Sequence, residues 1–292
     1  MKTLKNINEA GIKTVCTALI LLLTSCASIP SSTSPQDTVA EPALTVSDLI
    51  AEGDSALRNN DIDTAQINYA LAIERNPKNV EALYKLATVH NHKDSLEVAE
   101  KLLRHALTID KDLEPANILL GKILTKLERI DEAASIFQQT IEVNAYPFEA
   151  LNGLGIIHDM SGGHEEAQEL FTKALRIKSR SPKVTNNLGY SFYLSGNFRE
   201  AERLYLEALK FDSNYDRAWS NLALLYSRTG RLQQADMAFR KIVPDYQAAN
   251  NIGYIGLLQG DNELAHQQFK RAIDTAPIYY ELANRNLELL SN

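Results

Sequence analysis

Residues 188–208 read LGYSFYLSGNFREAERLYLEA. Gly189 is followed twelve residues later by Ala201, then by Tyr205 and Ala208 at spacings of four and three. The same small–Ala–aromatic–Ala frame recurs on both sides. Gly53, Ala87, Gly121, Gly155, Gly189 and Ala223 stand 34 apart, and Gly253 follows after 30. Twelve residues on, all seven copies carry alanine: Ala65, Ala99, Ala133, Ala167, Ala201, Ala235 and Ala265. Four further stand Tyr69, Leu103, Phe137, Phe171, Tyr205, Phe239 and Phe269. Fixed self-similarity at such a period is the signature of a repeat architecture.

Glycine inside a helix costs about 1 kcal/mol against alanine, so five at one position imply close helix packing. The aromatic one helical turn after the invariant alanine lies on the same face and fills the wedge between helices. Asn60, Asp94, Glu128, Gly162, Gly196, Gly230 and Gly260 stand between the two predicted helices of each unit. Glycine or asparagine suits a left-handed closing residue, so the turns at Asp94 and Glu128 are expected to be looser. The pattern resembles the tetratricopeptide repeat, whose 34-residue unit is helix, turn and helix. The resemblance implies an all-α, right-handed solenoid of seven repeats over residues 46–279, divided as 46–79, 80–113, 114–147, 148–181, 182–215, 216–245 and 246–279. The seventh copy starts four residues early. Pro244 cannot continue a helix without losing a backbone bond, so the second helix of repeat six is expected to be cut short. The amphipathic segment 278–290, IYYELANRNLELL, reads as a closing helix within 280–292, covering the end of the last repeat as solenoids require.

On each first helix, the side opposite the packing stripe corresponds to the groove lining of tetratricopeptide arrays. Tyr84, Asn152, Asn186, Tyr190, Tyr193, Leu224, Asn250 and Tyr254 fall there. A carboxamide can pair with both the N–H and C=O of an extended peptide, and tyrosines are enriched at interface hot spots. The same asparagines could instead bond within the array. The groove of repeats four to seven is the expected partner site.

Chemistry is sparse by comparison. His90 and His92 point to different sides of a helix. His164-Glu165-Glu166 lacks the second histidine of a zinc peptidase helix. Asp61 and Asp63 lack the rest of a calcium loop. No Walker loop, nucleophile elbow or dinucleotide fingerprint is present. The expectation is a non-catalytic chain without cofactor or metal.

Residues 19–28, LILLLTSCAS, follow Lys2, Lys5 and Lys13 and precede a polar stretch. The apolar run is shorter than the roughly 20 residues of a spanning helix and has the grammar of a secretory signal. Leu23-Thr24-Ser25-Cys26 resembles a bacterial lipobox. This implies removal of residues 1–25, lipidation of Cys26, and anchoring by acyl chains at about 0.8 kcal/mol per buried CH₂. Residues 27–45, rich in Ser, Thr and Pro, read as a linker following the lipidated residue. Losing the signal removes Cys16, so no cysteine pair is left for a disulfide. It also leaves 27 basic and 36 acidic side chains, an acidic balance that disfavours nucleic acid.

The lipobox, linker, shortened sixth unit and the segment QAANNIGYIGLLQGDNELAHQQFKRAI together resemble the TadD-like lipoproteins of the Tad (Flp, tight adherence) pilus machinery. That resemblance implies a pilotin-like role toward an outer-membrane secretin or other pilus-assembly protein, from a lipid-anchored position on the outer membrane facing the periplasm. Ala27 after the lipidated cysteine, where aspartate would resemble an inner-membrane retention signal, fits that address. A type IV pilus pilotin, or an adaptor for peptidoglycan enzymes or periplasmic proteases, remain alternatives.

Overall fold

The computed structural model describes residues 44–290. The proposed signal, Cys26 and nearly all of the linker lie outside those residues. Within them, helices alternate with short turns: α1 (Val46–Arg58) and α2 (Ile62–Arg75), α3 (Val80–His92) and α4 (Leu96–Ile109), α5 (Glu114–Lys126) and α6 (Ile130–Val143). Then come α7 (Phe148–Met160) and α8 (His164–Ile177), α9 (Pro182–Leu194) and α10 (Phe198–Phe211), α11 (Asp216–Arg228) and α12 (Leu232–Phe239). Last are α13 (Asp245–Gln259), α14 (Asn262–Thr275) and α15 (Glu281–Leu289). Each helix packs on the next, so the described residues form an α-solenoid of paired helices. The first helices α3, α5, α7, α9, α11 and α13 also touch in series, and no comparable row joins the second helices among the described residues. The more closely spaced row lies on the inner side of the array.

The glycines are explained by the rings opposite them. A Cβ built on Gly53 would fall 2.4 Å from the Tyr69 ring, and one on Gly121 2.6 Å from Phe137. Gly155 and Phe171, Gly189 and Tyr205, and Gly253 and Phe269 repeat the contact at 2.7–2.9 Å. These five rings are essentially fully buried. Burying a side chain of this size contributes about 1.5–3 kcal/mol, which offsets the glycine's helix penalty. Where the small residue is Ala87, the ring position holds Leu103 instead. Where it is Ala223, Phe239 stays aromatic but keeps 8% exposure.

All seven turn residues are left-handed, and the expectation of looser turns at Asp94 and Glu128 is corrected. Asn60, Asp94 and Glu128 have φ of 60°, 57° and 59° beside 74–82° for the four glycines. The bond closing the turn is equally short in each class: Ser95 N–H to His90 C=O is 2.8 Å, Arg129 N–H to Leu124 C=O 2.9 Å, and Gly163 N–H to His158 C=O 2.8 Å. Packing of the paired helices holds the non-glycine turns closed, and the cost stays in the backbone as strain.

The truncation in repeat six is real. α12 has eight residues where the other second helices have fourteen. Pro244 occupies the N-cap of α13. Arg240 bridges the gap, pairing with Asp236 at 2.7 Å and Asp245 at 3.2 Å. α15 packs on α14 through buried Ala283. It leaves Leu282 and Leu289 exposed, together with Ile278 and Tyr279 just before it, so its outer side is more apolar than a purely polar cap.

Candidate protein-binding groove

The inner face is built from residues of successive first helices. Glu149 on α7 accepts Lys183 of α9 at 3.0 Å and Lys122 of α5 at 3.4 Å, tying three repeats together. Burial pushes the Glu149 carboxyl upward, but the two ammonium groups hold it below the usual range. In the first repeats the pattern differs: Tyr69 donates its hydroxyl to Asp54 at 2.6 Å, and Asp54 pairs with Lys85 at 2.7 Å.

The three asparagines expected to face a peptide are corrected. Asn152, Asn186 and Asn250 keep only 1–3% exposure. The side-chain oxygen of each accepts from an asparagine 35 or 36 residues later: Asn187 at 2.8 Å, Asn221 at 2.9 Å and Asn286 at 3.0 Å. They form an inter-repeat ladder, because a buried carboxamide must find a partner and the next helix supplies one. The ladder is broken at Ser220, in the shortened repeat six. It resumes with Asn286, so α15 docks on α13 through the same bond that one first helix makes with the next. The donors Asn187, Asn221 and Asn286 were not singled out by the sequence reading. The Asn-Asn pairs in TNNLGY and ANNIGY, and the 34-residue spacing of Asn187 and Asn221, were the visible signs.

Tyr193 is also corrected as an open anchor. It is 7% exposed, stacks on Tyr190 with centroids 6.0 Å apart, meets Phe198 at 5.6 Å, and lies under the Arg228 guanidinium at 5.2 Å. It supports Tyr190, which is itself exposed, as is Tyr254. Tyr84 and Leu224 are half-buried.

Tyr190 lines a cavity of about 340 Å³ with Ile156, Asp159 and Met160 of α7, Asn187 and Leu194 of α9, and Arg217 of α11. A second hollow of about 330 Å³ holds Tyr84 with Ile118, Leu119 and Lys122. Met160, Leu194 and, further along, Leu258 are exposed apolar residues that the sequence reading missed, since they sit one position beyond the face it considered.

Asp159 invites a catalytic reading that its geometry refuses. Its Oδ1 is 2.9 Å from His164 Nδ1 and accepts the Ser191 hydroxyl at 2.7 Å. A hydrolase triad needs serine on histidine and histidine on carboxylate. Here the carboxylate takes both, and Ser191 is fully buried. Burial lifts the Asp159 carboxyl above its ordinary range despite these bonds. The cluster joins α7, α8 and α9 and shapes the cavity wall.

Residues 50–114 and 113–180 match the family described as tetratricopeptide repeat, and residues 189–230 match the TPR repeat. No curated protein matches the chain in sequence. Among solved structures, a tetratricopeptide repeat protein from Parabacteroides merdae aligns with TM-score 0.64 at 20% identity, over 85% of this chain and 99% of that one. The pilF protein of Pseudomonas aeruginosa aligns at 0.57 and 19% identity, over 77% and 96%. PilW, described as a widely conserved type IV pilus biogenesis factor, aligns at 0.57 and 17%, over 85% and 98%. At these identities the likeness is one of fold. With its seven-fold frame, its paired helices and the matched segments, the chain belongs to the tetratricopeptide repeat family.

Proposed function

We propose that this protein is a lipid-anchored scaffold of the bacterial outer membrane that binds a pilus-assembly protein, such as a secretin, through the inner face of repeats four to seven. The observation that carries the binding reading is the apolar cavity beneath Tyr190, continued by exposed Tyr254 and Leu258 on α13. Exposed apolar side chains gathered on one face mark interaction sites. Three features support the pilus reading: the Leu-Thr-Ser-Cys26 signal, the shortened sixth unit, and the shared fold with pilF and PilW. The signal suits both pilus readings, and the shortened sixth unit favours Tad-type assembly. The shared fold favours a type IV pilus pilotin as the second reading.

The experiment is isolation of tagged full-length protein from detergent-solubilised envelope, followed by mass spectrometry. Enrichment of a secretin or other pilus protein, with loss of lipidation in Cys26→Ser, is the expected outcome. Enrichment of peptidoglycan enzymes or proteases without any pilus protein would replace it with the adaptor role.

A further inference from the structure

The outer face of the solenoid, formed by the second helices, changes character along its length. On α2, Ile67 and Leu71 stand one helical turn apart, opposite the buried Ala65, Tyr69 and Ala72, and both are exposed. Exposed Ala70 lies between them in sequence. Exposed Val98 of α4 joins the group by register. Its counterpart one repeat on, Glu132, pairs at 3.1 Å with Arg104, the counterpart of Ala70. The four positions thus hold Ile67, Ala70, Leu71 and Val98 at the start of the array, but Lys101, Arg104, His105 and Glu132 one repeat later. No other pair of successive repeats has more than two apolar residues at these positions. The rim of the patch carries both signs. Asp63 is paired with Lys93 at 2.9 Å, and Glu74 and Glu97 are offset by Arg75 and Lys101. The patch therefore suits an apolar contact rather than a charged one.

We infer that this patch rests on the lipid surface of the membrane that holds the protein. This builds on the anchoring proposal above and adds a second, weaker contact to it. The patch lies in the two repeats that follow the anchor in the chain. Residues 27–43 alone separate Cys26 from the described residues, a stretch of at most about 60 Å when fully extended. A short tether holds a second contact at an effective concentration of about millimolar, so a weak one suffices. Apolar side chains on the face of a surface helix settle about 5–10 Å into the boundary between headgroups and acyl chains. Four side chains fall far short of the roughly 20–30 residues per partner of a stable protein interface, which favours lipid over a second protein. With the outer face of repeats one and two on the bilayer, their inner face is turned away from it and stays open to a partner.

The test uses the full-length protein reconstituted into vesicles of phosphatidylethanolamine and phosphatidylglycerol, with and without brominated acyl chains. Intact mass establishes whether Cys26 carries lipid. Residues 27–292 contain no cysteine, so Ala70→Cys, or Thr172→Cys at the corresponding position of repeat four, takes a single environment-sensitive fluorophore. The expected result is a blue-shifted emission at 70 that the brominated chains quench, and neither effect at 172. Ile67→Glu with Leu71→Lys gives repeat one the residues of repeat four, Glu169 and Lys173. That double variant should stay lipidated, keep its melting temperature and lose both the shift and the quenching at 70. Lipidated protein whose label at 70 is as unquenched as at 172, or is quenched equally in the double variant, would overturn the inference and leave the anchor standing. A blue shift at 70 without quenching would put a second copy or residues 27–43 on the patch and overturn it too, with dilution separating those two. Protein that carries no lipid on Cys26 and stays off the vesicles would overturn both the anchor and the inference.

Discussion

The glycine at the packing position is set by a ring rather than by a neighbouring backbone. Gly155→Ala would place a methyl carbon 2.7 Å from Phe171. The ring must move, at an expected cost of about 1–3 kcal/mol, partly offset by alanine's better helix propensity. A urea titration of wild type and variant measures the difference. The two tyrosines at the repeating ring position, Tyr69 and Tyr205, separate the worth of the hydroxyl from that of the ring. Tyr69 donates to Asp54, so Tyr69→Phe should lose about 1–3 kcal/mol. The Tyr205 hydroxyl is buried without a partner. Tyr205→Phe should therefore leave stability unchanged or raise it by up to about 1 kcal/mol. The small–aromatic pairing was legible because both members repeat on the same period. The asparagines were misread for a related reason. Recurrence on period 34 identifies a shared environment but not whether it is solvent or the next repeat. Their partners Asn187 and Asn221 recur on the same period, but each bond joins residues 35 apart, so recurrence alone does not show which asparagine pairs with which.

At the scale of the element, strain sits in the turns of the first three repeats. Glu128 holds φ of 59° without being glycine. Relief of about 1–2 kcal/mol of left-handed cost exceeds the roughly 0.5–1 kcal/mol of extra chain entropy that glycine brings. Glu128→Gly should thus stabilise the protein by about 0.5 kcal/mol. Gly196→Ala is the converse case. A Cβ there meets nothing within 4 Å, so its expected loss of about 1 kcal/mol is backbone strain alone. Thermal melting of both variants against wild type checks the pair. Left-handed closure was readable from the glycines, but closure without glycine was not. The sequence shows a turn residue's preference, while the packed helices on either side decide whether that preference is overruled. The length of α12 was readable from Pro244 and the four-residue phase shift, because both are backbone constraints that no packing reverses.

For the molecule as a whole, stability is shared between neighbouring repeats, so a local pH response should appear in the melting of the array. His90 has its Nδ1 buried without a partner. Burial, helped by Lys93, lowers its pKa below 6.5. The unfolded chain therefore binds the proton first on acidification. Stability from the neutral imidazole is present above pH 6.5 and is lost as pH falls below it. The carboxylates Asp54, Glu100 and Glu149 are held below their ordinary range, so their contribution is lost only below about pH 4. Melting temperature between pH 7 and 5 should fall less in His90→Gln than in wild type.

The solenoid presents two surfaces, and the inner one is the proposed partner site. The most direct measurement places a photo-crosslinking amino acid at position 190 or 194 on the inner face. The controls carry it at 67 or 237, where Ile67 and Met237 are exposed on the second helices. Each variant is irradiated in cells that make the full-length protein. A crosslinked pilus-assembly protein is expected from positions 190 and 194 and none from 67 and 237. Crosslinks from the second-helix positions alone would contradict it.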